Sequence, residues 1–99
     1  MSEYKIDVSN QAKKYLKKLK ERNLKEKFLD LIYDDIAENP YTGDQKQSDL
    51  KGVYAKGFIY KKSAYRVAYK IEDAYIIPIL LAGPHEKFYE QLKRLIKNR

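Results

Sequence analysis

The 99-residue sequence has no cysteine and a single histidine, His85. Without cysteine there is neither a disulfide framework nor a thiolate site, and a structural zinc site is excluded in practice. No apolar run approaches the roughly 20 residues that a membrane-spanning helix needs. The opening "MSEYKIDV" lacks the basic-then-apolar plan of a signal peptide, so a cytoplasmic protein is expected. The four glycines are scattered, which leaves no P-loop or Rossmann phosphate cradle. No serine stands in a nucleophile-elbow context and no carboxylates have metal-ligand spacing, so no cofactor and no metal are expected.

What is abundant is positive charge and tyrosine. The net charge is +7, the pI is near 9.5 and there are ten tyrosines. A basic surface favours a polyanionic partner, either nucleic acid or an acidic protein, although many small domains are basic for solubility alone. The length fits one domain, residues 1–99, with a single core.

Along the chain, "EYKIDV" alternates Tyr4, Ile6 and Val8 against charged residues, the period of a half-buried strand. Ser9 or Asn10 can cap a helix whose apolar stripe is Ala12, Tyr15, Leu16 and Leu19. A second stripe, Leu24, Phe28, Leu31, Ile32 and Ile36, ends at "NP", and the two stripes predict a helical hairpin. Residues 40–52 have no periodicity, and a polar loop of that length is more often mobile or functional than inert. "VYAKGFIYK" and "AYRVAYKIE" read as a β-hairpin turning near residues 61–63. "EDA" turns into "YIIPILLAG", which is apolar on both faces like a central strand, with an irregularity expected at Pro78. A last helix is expected from Pro84, carrying Phe88, Leu92, Leu95 and Ile96. The fold class is α+β in the order βααβββα. It predicts an antiparallel-rich sheet with the helical hairpin on one face and the C-terminal helix near its end.

A basic, tyrosine-rich surface with one histidine suits metal-free RNA cleavage. That reaction needs a base for the 2′-hydroxyl, cations for the phosphorane and an acid for the leaving 5′-oxygen. Arg66 is the leading cation, since its fork matches two phosphate oxygens and small Ala64 and Ala68 flank it on its face. An exposed arginine paired with a carboxylate is the commoner alternative. Lys56, Lys61 and Lys62 stand on or beside the preceding strand and are expected to reach the same face; hairpin solubility also explains the last two. His85 and Tyr89 are four apart at the expected helix start, where the dipole would favour a neutral imidazole base. A surface histidine in a turn and a core tyrosine are the plainer readings. Lys13, Lys17 and Lys20, with the other first-helix cations, form a solvated face or contact an RNA backbone.

Taken together these features resemble the RelE/ParE superfamily of type II toxin–antitoxin toxins over essentially the whole chain. The resemblance is carried by the lysine-rich hairpin ending in "NP", by "YRVAY" at residues 65–69, by the apolar strand ending in glycine and by "HEKFY" at residues 85–89. It implies a RelE-like fold and, on the RelE branch, a ribosome-dependent, metal-independent endoribonuclease that cuts mRNA and arrests translation. Arg66 then matches the strand arginine at the scissile phosphate, His85 a histidine of the YafQ-like branch, and Tyr89 the C-terminal aromatic. Lys56, Lys61 and Lys62 fall where RelE-type members carry basic catalytic residues. The implied partners are the ribosome, mRNA and an acidic antitoxin through which the pair would bind operator DNA. The ParE branch gives the alternative, a non-enzymatic inhibitor of DNA gyrase on the same scaffold.

Overall fold

The computed structural model describes residues 4–45, 50–72 and 75–97. The first alternation becomes strand β1, Lys5–Val8, with Ile6 and Val8 packed toward the core and Lys5 and Asp7 exposed. Ser9 then caps helix α1, Asn10–Lys18: its hydroxyl accepts from the Ala12 N–H at 3.2 Å and donates to the Leu80 carbonyl at 3.0 Å. One side chain thus satisfies an orphan helix amide and ties the helix start to the sheet. The backbone is extended at Leu19 and Glu21 and re-enters helical space as α2, Arg22–Asp30. The helix then widens into one π-type turn, Leu31–Ile36, where the Ala37 N–H donates five residues back to Ile32 at 3.1 Å. Its buried residues, Leu31, Ile32 and Ile36, are the end of the predicted stripe. Asn39 leaves helical space at φ −138, as a residue before proline must, and Pro40–Thr42 form a short 3-10 turn.

The remaining strands are β2 (Asp44–Gln45), β3 (Tyr54–Tyr60), β4 (Ser63–Tyr69) and β5 (Ile76–Pro84). They form one five-stranded sheet in the order β1-β5-β4-β3-β2, with β1 parallel to β5 and every other pair antiparallel. β5 lies inside the sheet between β1 and β4 and is buried on both faces, which explains its continuous apolar run. The irregularity expected at Pro78 falls two residues later: Ala68 pairs with Leu81 but Tyr69 with Ile79, so Leu80 is the extra residue of a bulge. Pro78 instead accepts from the Lys70 N–H at 3.1 Å, where β4 has already ended. The two-residue β2 has no signature in the aperiodic loop, because its pairing with β3 is what makes it a strand. Residues 46–49 of that loop, 73 and 74 of the "EDA" turn, Glu3 and the last two residues of the final segment lie outside the described residues.

Each sheet face has its own core. On one face α1, α2 and the π turn bring Ala12, Leu16, Phe28, Ile32 and Ile36 onto Val67, Tyr69, Ile77 and Ile79. Phe28 is edge-on to Tyr15, Phe58 and Tyr65 with centroids 4.9 to 5.7 Å apart, the geometry aromatic quadrupoles prefer. On the opposite face helix α3, Phe88–Lys97, sets Phe88 and Leu92 against Ala68, Leu80 and Leu81, with Leu50 and Val53 closing the side. The helix does not begin at Pro84. That residue is the last of β5, paired with Tyr65, and a left-handed Lys87 (φ 60) separates the strand from the helix. The strand ladder claims the proline before a helix can use it.

Candidate functional site

Cross-strand partners lie on the same sheet face. Arg66 of β4 sits opposite Gly57 on β3 and Gly83 on β5, so no side chain flanks it on either side. Gly57 is sterically required. A Cβ there would come within 2.5 Å of the Tyr65 carbonyl and 3.2 Å of Arg66 Cγ. Gly83 is not, since a Cβ would meet nothing within 4 Å. Arg66 therefore lies across an open floor on the face that carries α3.

His85 follows β5 directly. Its N–H donates to the Ala64 carbonyl at 2.8 Å and its carbonyl accepts from the Phe88 N–H at 3.1 Å, fixing the turn between strand and helix. Arg66 Nε donates to His85 Nδ1 at 3.1 Å. Arginine has only donors, so Nδ1 is the unprotonated nitrogen and a neutral ring carries its proton on Nε2. Tyr89 completes the cluster. Its ring is edge-on to His85 at 6.3 Å and lies beneath the Arg66 guanidinium at 5.8 Å, within cation–π range. Tyr89 is held in turn against buried Phe88, 5.5 Å away. The three residues converge as expected, but through a turn rather than one helix face. His85 lies three residues before the first helical residue, beyond the first turn where the dipole acts.

One residue of the site is not among those the sequence singles out. Asp44 of β2 pairs with Ala55 and so faces the same side, its Oδ2 3.9 Å from Arg66 Nη1. The only signal for it is the aperiodic loop that contains it. Asp44, Gly57, Ile59, Ala64 and Arg66 line an open depression of about 340 Å³. Two larger hollows, about 420 and 390 Å³, share Gln11 and Leu95 between α1 and α3, away from this cluster.

The lysines are elsewhere. Lys56 pairs with Val67, so it points to the α1–α2 face, where its Nζ lies 2.5 Å from Asp35 of the π turn. It does not reach Arg66; the strand period puts alternate residues on opposite faces, and Ala55, Gly57 and Ile59 occupy the Arg66 face of β3. Lys61 and Lys62 form the hairpin tip, both left-handed at φ 49 and 69. Lys61 leans toward the helices and meets Glu21 at 3.2 Å; that hydrogen bond, then the carboxylate charge, holds its pKa above the ordinary lysine value. Lys62 is exposed at the same tip. Lys13, Lys17 and Lys20 are exposed in the α1 segment, across the sheet from Arg66. Among the described residues no three His, Cys, Asp or Glu side chains are grouped to hold a metal ion, and no helix is long and apolar enough to cross a membrane.

This architecture is similar to solved toxin structures. The RelBE2 toxin–antitoxin complex of Mycobacterium tuberculosis matches with a TM-score of 0.68 at 21% identity, covering 86% of this chain and 94% of that one. A doubly substituted E. coli RelE in the free state gives 0.68 at 21%, covering 95% and 98%. The same toxin bound to an antitoxin RelBc peptide gives 0.66 at 21%, covering 93% and 97%. No curated protein matches the sequence. The family model for the ParE-like toxin of type II bacterial toxin–antitoxin systems matches residues 6–93. The chain therefore belongs to the ParE-like toxins of type II bacterial toxin–antitoxin systems.

Proposed function

We propose that this toxin is a metal-independent endoribonuclease that cuts mRNA on the ribosome and arrests translation. The observation that carries the reading is the Arg66–His85–Tyr89 cluster, joined by the 3.1 Å Arg66–His85 hydrogen bond over an open floor. Arg66 binds the scissile phosphate and stabilises the charge that builds on it. In doing so it gives up His85, which exposes the Nδ1 lone pair. His85 then takes the 2′-hydroxyl proton, the 2′-oxygen bonds to phosphorus, and the bond to the 5′-oxygen breaks. A 2′,3′-cyclic phosphate and a 5′-hydroxyl result, the latter taking its proton from solvent; the Tyr89 hydroxyl is buried, and its ring positions Arg66 and His85. Neither Lys56 nor Lys62 enters this scheme, because neither lies in the cluster. Ribosome binding falls to the basic surfaces, including Lys13, Lys17, Lys20 and Lys61. The partner in the resting cell is an acidic antitoxin in the cytoplasm, and the pair binds operator DNA through that antitoxin. Support for such a partner comes from similar folds solved as toxin–antitoxin complexes.

One observation favours a second reading, a gyrase inhibitor on the same scaffold. β3 presents only Ala55, Gly57 and Ile59 beside Arg66, with no lysine to share the phosphate charge. Pulse labelling after induction of the toxin alone separates the two. Ribonuclease action predicts immediate loss of amino-acid incorporation with thymidine incorporation continuing, and loss of toxicity in His85→Ala. Early arrest of DNA synthesis, with His85→Ala still toxic, would replace the first reading by the second.

A further inference from the structure

Arg66 does not rest with its guanidinium free. Nε is committed to His85 at 3.1 Å, and Nη1 faces the Asp44 carboxylate at 3.9 Å. The two-point edges of a guanidinium pair Nη2 with either Nε or Nη1. Any phosphate held by two nitrogens must therefore meet one of these partners. His85 brings no negative charge against the anion. Asp44 is different, because it brings a full negative charge to the lip of the depression where the anion sits.

We propose that Asp44 is a specificity-determining residue, which shifts the preference of Arg66 away from a terminal phosphate and toward an internal phosphodiester. The inference rests on Arg66 being the phosphate-binding group of the proposed function. An internal diester carries one negative charge; a terminal monoester, with a second pKa near about 6, carries close to two at neutral pH. Attraction to Arg66 and repulsion from Asp44 both scale with that charge, so Asp44 cancels more of the attraction for the dianion than for the diester. A fully apolar or amide wall would bind the dianion more tightly, and free phosphate or nucleoside monophosphates would occupy the site. Asp44 is placed for this and for little else. Its side chain is 72% exposed, its strand is two residues long, and at 3.9 Å in solvent its ion pair with Arg66 adds little to stability.

The test uses the full-length protein and two probes, a dinucleoside phosphate with one internal diester and a nucleoside 5′-monophosphate. Affinities are read at pH 7.5 and low salt by NMR titration of the Arg66 Nε–H signal or, in Arg66 variants, of the neighbouring Ala64 and His85 amides. Asp44→Asn should tighten both ligands, the monophosphate about 2- to 5-fold more than the diester, as expected for one exposed charge. In an Arg66→Gln background the same Asp44 change should give no gain. Unchanged discrimination in Asp44→Asn overturns the proposal, as does a gain that persists without Arg66. If Arg66→Gln alone binds both probes as the wild type does, it is the phosphate-binding role of Arg66 that fails.

Discussion

At the scale of single residues, the site depends on what stands beside Arg66 as much as on Arg66. Gly57 is the clearest case: an added methyl meets backbone, which cannot swing aside. Gly57→Ala should cost about 1–3 kcal/mol in urea unfolding and displace Arg66, lowering cleavage at least about tenfold. Gly83→Ala, into open space, should change stability by less than about 1 kcal/mol and spare cleavage. Tyr69 is the corresponding structural residue. It is fully buried, stacks on Tyr54 at 5.7 Å and donates to the Pro40 carbonyl at 2.6 Å. Burial, with Asp35 adding to it, raises its pKa above the ordinary tyrosine value. The unfolded chain therefore loses this proton first, and stability should fall as pH rises above about 10, by up to ~1.4 kcal/mol per unit. Tyr69→Phe should flatten that limb in denaturation curves measured across pH 9–11. At neutral pH it should cost about 1–3 kcal/mol, because the Pro40 carbonyl is left unsatisfied. Arg66, His85 and Tyr89 are legible in the sequence, because alternation and residue type mark them. Asp44 is not: nothing local distinguishes it from its polar neighbours, and only pairing with Ala55 brings it to the site.

At the scale of elements, period-2 and period-3.6 patterns place the strands and helices well, and they mislead where tertiary pairing overrides local preference. Pro84 suits a helix start, but pairing with Tyr65 keeps it in β5 and delays α3 to Phe88. The face occupied by Lys56 follows from hairpin register, and register follows from the turn. Here the turn carries two lysines in left-handed geometry where Asn-Gly is the usual signal, so residue type does not announce the register. Each left-handed lysine costs on the order of 1 kcal/mol. Replacing Lys61-Lys62 by Asn-Gly should raise the unfolding free energy by about 1–2 kcal/mol. A denaturant midpoint unchanged or lower in that variant would show that the turn is not a source of strain.

At the scale of the whole molecule, the sheet separates two kinds of positive charge. The α1 face carries Lys13 and Lys17, with Lys20 just beyond the helix, while Arg66 lies on the α3 face. An RNA or ribosome that touches both must pass around an edge of the sheet. Replacing Lys13, Lys17 and Lys20 by Ala should weaken association and reduce the salt slope by up to about one unit per contacting lysine. The cleavage rate at saturation should stay as it is, because none of the three approaches the cluster; ribosome titrations at several salt concentrations separate the two effects. The central claim is that Arg66 and His85 act together on a phosphodiester. Its most direct test is to add purified, antitoxin-free protein to translating ribosomes and map breaks in the mRNA by primer extension. The wild type should give discrete cuts ending in 2′,3′-cyclic phosphates. Arg66→Ala should lower the single-turnover rate by about 10²-fold or more while ribosome binding is retained, and His85→Ala by at least about 10²-fold. Intact mRNA with fresh wild-type protein, or cutting that survives in both variants, would contradict the claim.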